Sequence, residues 1–378
     1  MFTRLSVIRE TVKGPFAPSG EEVVFLRDSE TGAKVTIQPD NGSDMIAIEN
    51  PKGRSFRRRT VPGGVISPGN LAGMVGTLQT ALMTIGANVT AIPTPGYAPF
   101  WHGLHMLLSI IPAEENSQKI DTNHADSVVS VQHRHKVSIA NTDPRIACDL
   151  AITRRTTMAV CQSLGITIEQ SDQVGAKTDC HISTLDHPNP LVEAGDQIIL
   201  PWKKVAILQD RDGNTPDGAN PFTVIDHRFL GQAVPERCFF AHIRPNDKYQ
   251  IPLLLKNRDN SCGVGIVYDY LSRHPFVMIW YSPGGCCGLK YGDLPIGSDA
   301  LYRLGMHELY TAGTALKKSF TIFLLNDEEA VRTFARRYQL DLAATGPTEI
   351  SGCDENYVQL AEAAAATNTA LRCRADSH

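Results

Sequence analysis

Four stretches of the chain gather side chains able to move protons or hold a polar ligand. The first runs from Trp101 and His102 through His105 to Pro112-Ala113-Glu114. An imidazole exchanges its proton near neutral pH, so His102 and His105 in one pocket suit acid–base work, with Trp101 as a flat binding face. The plainer alternative for each histidine is a core or surface position. The second stretch is His124 followed by His133-Arg134-His135. On a strand, 133 and 135 share a face, where two imidazoles suit a metal site as well as a solvated surface. No third ligand is identifiable. The third stretch, Asp179-Cys180-His181 to His187-Pro188-Asn189-Pro190, is dense in polar groups and stiffened by two prolines. His181 and His187 are its candidates to line a site, because loops on rigid sheets often carry function. The fourth runs from Trp280-Tyr281 to Tyr291-Gly292-Asp293-Leu294-Pro295. Trp280 and Tyr291 offer aromatic faces for a ring-shaped ligand, and Asp293 is the nearest carboxylate able to act as a base. Their plainer alternatives are core aromatics and a turn aspartate.

The elements that position these residues are mostly strands. Val23-Val24-Phe25-Leu26, the Thr31-Gly32 turn and the alternating Lys34–Gln38 run predict a hairpin. Further short strands are expected at Met45–Ile48, Val128–Val131, Lys136–Ile139, Ile166–Glu169, Val264–Tyr268, Phe276–Tyr281 and Ser319–Leu324. Turn residues separate nearly all of them, which predicts a large antiparallel sandwich or barrel and not repeated βαβ units. Gly263 and Gly265 fall inside a strand pattern and read as structural. Two segments have helical character: the apolar spacing over 70–86 and the Ala-rich stretch over 355–372. Gly346-Pro347 and Gly352 read as a linker, so the expected division is a sandwich over 1–335 and a linker with a helical tail over 336–378.

Composition excludes several classes. The chain has 378 residues, 42% hydrophobic and 20% charged, which is ordinary for a globular protein. Its 36 Lys plus Arg against 40 Asp plus Glu leave a formal charge of −4, with no electrostatic case for nucleic acid or an anionic membrane. The Arg57-Arg58-Arg59 run reads as a charged strand edge, or as a phosphate contact if the ligand carries one. No segment approaches the roughly 20 apolar residues of a membrane span, and no signal peptide is evident. Nine irregularly spaced cysteines suit reduced thiols in the cytoplasm. Phosphate-loop, dinucleotide, HExxH and GxSxG patterns are absent, and no cofactor or bound metal is expected.

Taken in order, these segments resemble the aldose 1-epimerase (galactose mutarotase-like) superfamily, more closely a divergent bacterial branch of it. Gly76-Thr77-Leu78-Gln79-Thr80 resembles the branch's Gly-rich segment. Gly103-Leu104-His105 and Ser109-Ile110-Ile111-Pro112-Ala113-Glu114 match the next motifs at the right spacing. His181 or His187 with Pro190-Leu191-Val192 resembles the third, and His274–Trp280 with Tyr291–Pro295 the last. The resemblance runs from about residue 1 to 327.

It implies a supersandwich of large antiparallel sheets with a sugar-sized concave site. In mutarotases a carboxylate takes the anomeric hydroxyl proton while a histidine protonates the ring oxygen. The mapping makes His105, His181 and Asp293 the catalytic candidates. Trp101, His102, His187, Trp280 and Tyr291 are the substrate-binding candidates. Two departures stand out. Leu294 occupies the place of the family's glutamate before proline, with Asp293 one position earlier. His105-Met106-Leu107 replaces its His-Gly-Arg. The expected partner is a small carbohydrate or related cyclic molecule, and the Ala-rich tail suits a homodimer contact. Three other readings stay open: an acid–base isomerase or lyase on another cyclic carbonyl compound, a metal enzyme centred on His133 and His135, and a carbohydrate-binding protein without catalysis.

Overall fold

The computed structural model describes residues 4–14, 17–39, 42–57, 59–61, 64–66, 113–123, 127–139, 148–182, 185–186, 188, 190–201, 204–207, 237–242, 250–269, 275–282, 286–293, 308–343 and 349–352. The helical segments expected at 70–86 and 355–372 lie outside them, as do Trp101, His102, His105, His124 and His187.

The alternating runs form strands where the sequence predicts them. A five-stranded meander opens the chain: β1 (Leu5–Gly14), β2 (Ala17–Asp28), β3 (Lys34–Gln38), β4 (Asp44–Glu49) and β5 (Phe56–Arg57), each paired with the next. The predicted hairpin is β2 and β3, whose turn is held by Asp28. That carboxylate accepts from Thr31 N at 3.1 Å and from Arg4 Nε at 2.9 Å. Burial would raise the Asp28 pKa, but the bonds from Arg4, Thr31 and Glu30 outweigh it and hold the carboxyl below its ordinary value. A small hairpin, β6 (Arg59–Val61) and β7 (Gly64–Ile66), comes next.

The long strands follow: β8 (Lys119–Asn123), β9 (Val128–Ile139), β10 (Cys148–Cys161) and β11 (Gly165–Ala176). The two short strands expected at 128–131 and 136–139 are one continuous strand, because His133 and His135 keep the inward phase of Val129 and Val131. Four short strands follow: β12 (Cys180–Ile182), β13 (Leu185–Asp186), β14 (Gln197–Ile199) and β15 (Lys204–Ile207). Next are β16 (Arg237–His242), β17 (Ile251–Lys256), β18 (Gly263–Tyr268), β19 (Pro275–Ser282) and β20 (Cys286–Asp293). The chain continues with β21 (Glu308–Tyr310), β22 (Ala315–Leu325), helix α1 (Glu328–Tyr338) and β23 (Glu349–Gly352).

Two large sheets dominate. An eight-stranded sheet has the order β14-β17-β18-β22-β11-β10-β9-β8 and is antiparallel throughout. A six-stranded sheet has the order β13-β20-β19-β16-β15-β23, with a single parallel pair, β15 with β23. The inner face of the eight-stranded sheet packs Met158, Ile166, Ile168, Ile322 and Ile266 against Leu26, Val35, Ile37 and Ile48 of the meander and Leu289 of β20. The Tyr268 hydroxyl donates to the Leu289 carbonyl and so ties β18 to β20 across this core.

The outer face of the same sheet is covered by α1, which the sequence analysis did not anticipate. Its signals are present all the same. The Asp327 side chain caps the helix by accepting from Ala330 N at 2.8 Å. Glu328 and Glu329 lie in the first turn and Arg336 and Arg337 in the last, as the helix dipole favours. The buried stripe Ala330, Val331, Phe334 and Ala335 packs on Leu254, Val267, Phe323 and Leu325. Both faces of β17 and β18 are therefore apolar, which is why those strands read as continuous hydrophobic runs. Gly265 lets α1 approach: a Cβ there would stand 2.3 Å from Phe334 Cε2. At Gly263 a Cβ would stand 2.7 Å from the Leu255 carbonyl oxygen. Both glycines are structural, as read from the sequence. Among the described residues Cys161 and Cys262 are free thiols, and no helix is long and apolar enough to cross a membrane.

Candidate functional site

A charged row crosses the largely apolar inner face of the eight-stranded sheet, with Met158, Ile166 and Ile322 on one side of it and Leu150, Ile152 and Val174 on the other. Strand register lines up His133 on β9, Arg154 on β10, Asp172 on β11 and Lys318 on β22 in a single cross-strand row. All four are buried, in phase with the core residues of their own strands. Arg154 and Asp172 form a bidentate pair, Nε to Oδ1 and Nη2 to Oδ2, both 2.8 Å. Lys318 Nζ lies 3.7 Å from Asp172 Oδ2 and 2.9 Å from Asp186 Oδ1. Asp186 belongs to β13, so the row continues from the eight-stranded sheet into the six-stranded one.

The row also reaches the meander. Arg154 Nη1 donates to the Gly42 carbonyl at 3.0 Å, and Ser43 Oγ lies 3.0 Å from His135 Nε2. Gly42 and Ser43 both have left-handed backbones, with φ of 64° and 53°. The serine conformation is uncommon without such anchoring.

His133 and His135 share a face, as the strand period requires, but that face is interior and the solvated-surface expectation does not hold. Exposure is 2% for His133 and 1% for His135. Gln118 Nε2 lies 3.0 Å from His133 Nε2. An amide nitrogen only donates, so the ring accepts in its neutral form. Burial, then His135 and Arg9, push the His133 pKa down to about 4. Among the described residues, no group of three His, Cys, Asp or Glu is arranged to hold a metal ion.

Two segments singled out in the sequence meet this row, through Asp186 and through Tyr291, and another docks on the neighbouring backbone of β9. The residues following the His102–His105 stretch dock on β9 beside the histidines: Glu114 N donates to the Arg134 carbonyl at 2.8 Å, and Ala113 N donates to the Pro39 carbonyl at 3.1 Å. In the second segment His181 pairs with Leu309 on β21, and Asp186 follows on β13. The third is β20, where Tyr291 stands opposite Asp186 and Asp293 opposite Pro275. Trp280 pairs with Gly288 and Cys238, in the alternate phase of β19 from the Tyr291 partner Val277.

Arg154, Asp172, Asp186 and Lys318 were not among the sequence candidates. A signal existed for three of them: Arg154, Asp172 and Lys318 are charged residues in the apolar phase of their strands, whereas Asp186 lies on a two-residue strand with no such pattern. Asp172 follows Ile166, Ile168 and Gln170 at intervals of two, and Lys318 precedes Phe320, Ile322 and Leu324 in the same way. Taking four charges out of water costs several kcal/mol for each ion, and well-packed apolar residues are often as stable. Such a row is poor evidence for stability. It marks a polar band inside an otherwise apolar face, the kind of place where functional chemistry concentrates.

No family model and no curated protein matches the chain. Among solved structures it is similar to a Klebsiella pneumoniae protein provisionally named an aldose 1-epimerase, with a TM-score of 0.63 and 14% identity over 93% of this chain and 90% of that one. Two further matches are a galactose mutarotase-like protein from Clostridium acetobutylicum (TM-score 0.49, 11% identity, 85% of this chain and 98% of that one) and a galactose 1-epimerase from Lactobacillus acidophilus (0.48, 8%, 84% and 98%). The Klebsiella likeness establishes architecture: this chain has the galactose mutarotase-like β-sandwich fold that its sequence motifs led one to expect.

Proposed function

We propose that the chain is a carbohydrate isomerase working by acid–base chemistry at the anomeric centre of a sugar. One observation carries the reading. The strand after His181 is ion-paired to the charged row through Asp186, Tyr291 of β20 stands opposite Asp186, and the segment after the His105 stretch is bonded to the backbone of β9 beside His133. The fold shared with a protein provisionally named an aldose 1-epimerase agrees with it.

In this reading Asp293 takes the proton of the anomeric hydroxyl, and His105 or His181 protonates the ring oxygen. The bond between that oxygen and C1 opens, C1–C2 rotates, and closure with both protons returned gives the other anomer. Trp101 and Tyr291 hold the apolar face of the ring, and His102 and His187 bind its hydroxyls. Leu289, Tyr291 and Asp293 share one phase of β20, and Leu289 is a core residue of the inner face.

The test is saturation-transfer NMR between the anomers of free hexoses, pentoses, deoxysugars and uronic acids. Catalysed exchange on at least one sugar is expected. A folded protein that leaves every member of the panel at its uncatalysed rate would sink the reading.

A further inference from the structure

We propose that Lys318 is a positioning residue: through Asp186 it fixes β13, and with it the end of β20 that carries Tyr291 and Asp293, against the eight-stranded sheet. This rests on the reading above only in giving that end a catalytic purpose; the mechanical claim stands on its own geometry.

Strand β13 is two residues long, Leu185 and Asp186, and is the edge of its sheet. Two backbone pairings, Leu185 with Gly292 and Asp186 with Tyr291, give little intrinsic hold. The Asp186 carboxylate, 1% exposed, meets Lys318 Nζ at 2.9 Å. Lys318 is itself steadied by Asp172, which the Arg154 fork holds rigid. The order of support therefore runs from β10 through β11 and β22 to β13 and then to β20. Elsewhere β20 is secured at Leu289, by Tyr268 and by the Pro188 carbonyl that accepts from Leu289 N at 3.0 Å. The stretch beyond it, Lys290 to Asp293, has β19 on one side and β13 on the other. Loss of the Lys318 tie should free this stretch while leaving Leu289 and the core in place.

Removing one charge alone strands the other in the interior, so K318M alone is a poor probe. The double variant K318M/D186L removes both charges together and leaves Arg154 and Asp172 mutually paired. In the full-length chain, amide exchange at Tyr291, Gly292 and Asp293 is expected to accelerate on the order of tenfold, with Ile266 and Ile322 unchanged. K318R, which keeps the charge, should hold the wild-type rates. On a sugar that the wild type interconverts, the double variant should lose kcat on the order of 10²-fold with KM little changed, because a displaced base binds but does not react. Unchanged exchange at Tyr291–Asp293 would overturn the proposal, and so would acceleration spread equally over Ile266 and Ile322. A wild type with no activity whose double variant loosens only at Tyr291–Asp293 would refute the isomerase reading and leave this inference intact.

Discussion

Asp172 grips Arg154 with both carboxylate oxygens, each at 2.8 Å, between neighbouring strands and out of contact with water. The pair lies within the charged row that crosses the inner face, with apolar residues on both sides, and Asp172 also steadies Lys318. Replacing Asp172 by Asn leaves Arg154 and Lys318 short of one negative charge. Asp172→Asn is expected to cost about 3–5 kcal/mol in urea unfolding. R154M/D172L, which removes both charges, should cost markedly less. Equal losses in the two variants would show that packing and not charge balance is what matters here.

Gly265 and Phe334 make a second prediction, on the opposite face. The missing Cβ is the condition for α1 to lie on β18. Gly265→Ala should destabilise by about 1–3 kcal/mol, read as a lowered Tm. Phe334→Leu in the same chain should recover part of that loss. Strict additivity of the two substitutions would show that they do not meet.

Two buried groups make contributions of opposite sign to the pH dependence of stability. His133 titrates at about 4 in the folded chain against an ordinary 6.5. Between those values the unfolded chain binds more protons, so this group makes stability rise with pH, by about 3 kcal/mol at most. Asp196, paired with Arg54, is pushed up by burial to about 6 from 3.8 despite the Glu193 amide and the guanidinium that oppose it. In its window the folded chain binds more protons, so it makes stability fall as pH rises from about 4 to 6. The two contributions offset each other in the wild type. Glu169 and Asp269, both raised by burial, act in the same sense as Asp196, so the two groups are read from variants against the wild-type urea midpoints between pH 4.5 and 7. Relative to wild type, Asp196→Asn should tilt the profile upward with pH, and His133→Gln should tilt it downward. Parallel profiles for all three proteins would rule this assignment out.

The site itself is tested by activity. Asp293→Asn and His181→Ala should each lower catalysed anomer exchange by roughly 10²–10⁴, the usual cost of losing an acid or base. Tyr291→Ala should raise KM more than it lowers kcat. If the Asn and Ala variants turn over sugar at the wild-type rate, the acid and base lie elsewhere on the chain.

What the sequence determined by itself is the periodicity. Alternation at Lys34–Gln38, Ile166–Glu169 and Ser319–Leu324 is dictated by one buried face, and the hairpin at Thr31-Gly32 by local turn chemistry. Both are short-range, so both are legible, and the ordered motifs carried the fold as well. The helix at Glu328–Tyr338 was legible too, in its Asp327 cap and its 330, 331, 334, 335 stripe, but it went unread beside the stronger strand pattern. Tertiary structure alone decided which polar residues meet. His133, Arg154, Asp172 and Lys318 come from four strands far apart in the chain, register brings them into one row, and Asp186 reaches that row from the other sheet. A one-residue slip on any strand would turn its member away. No local preference sets that register; it is fixed by which hydrophobic faces bury together. The place of the charged row, and the burial of two histidines whose pattern suited a solvated strand face, therefore became visible only in the assembled sheets.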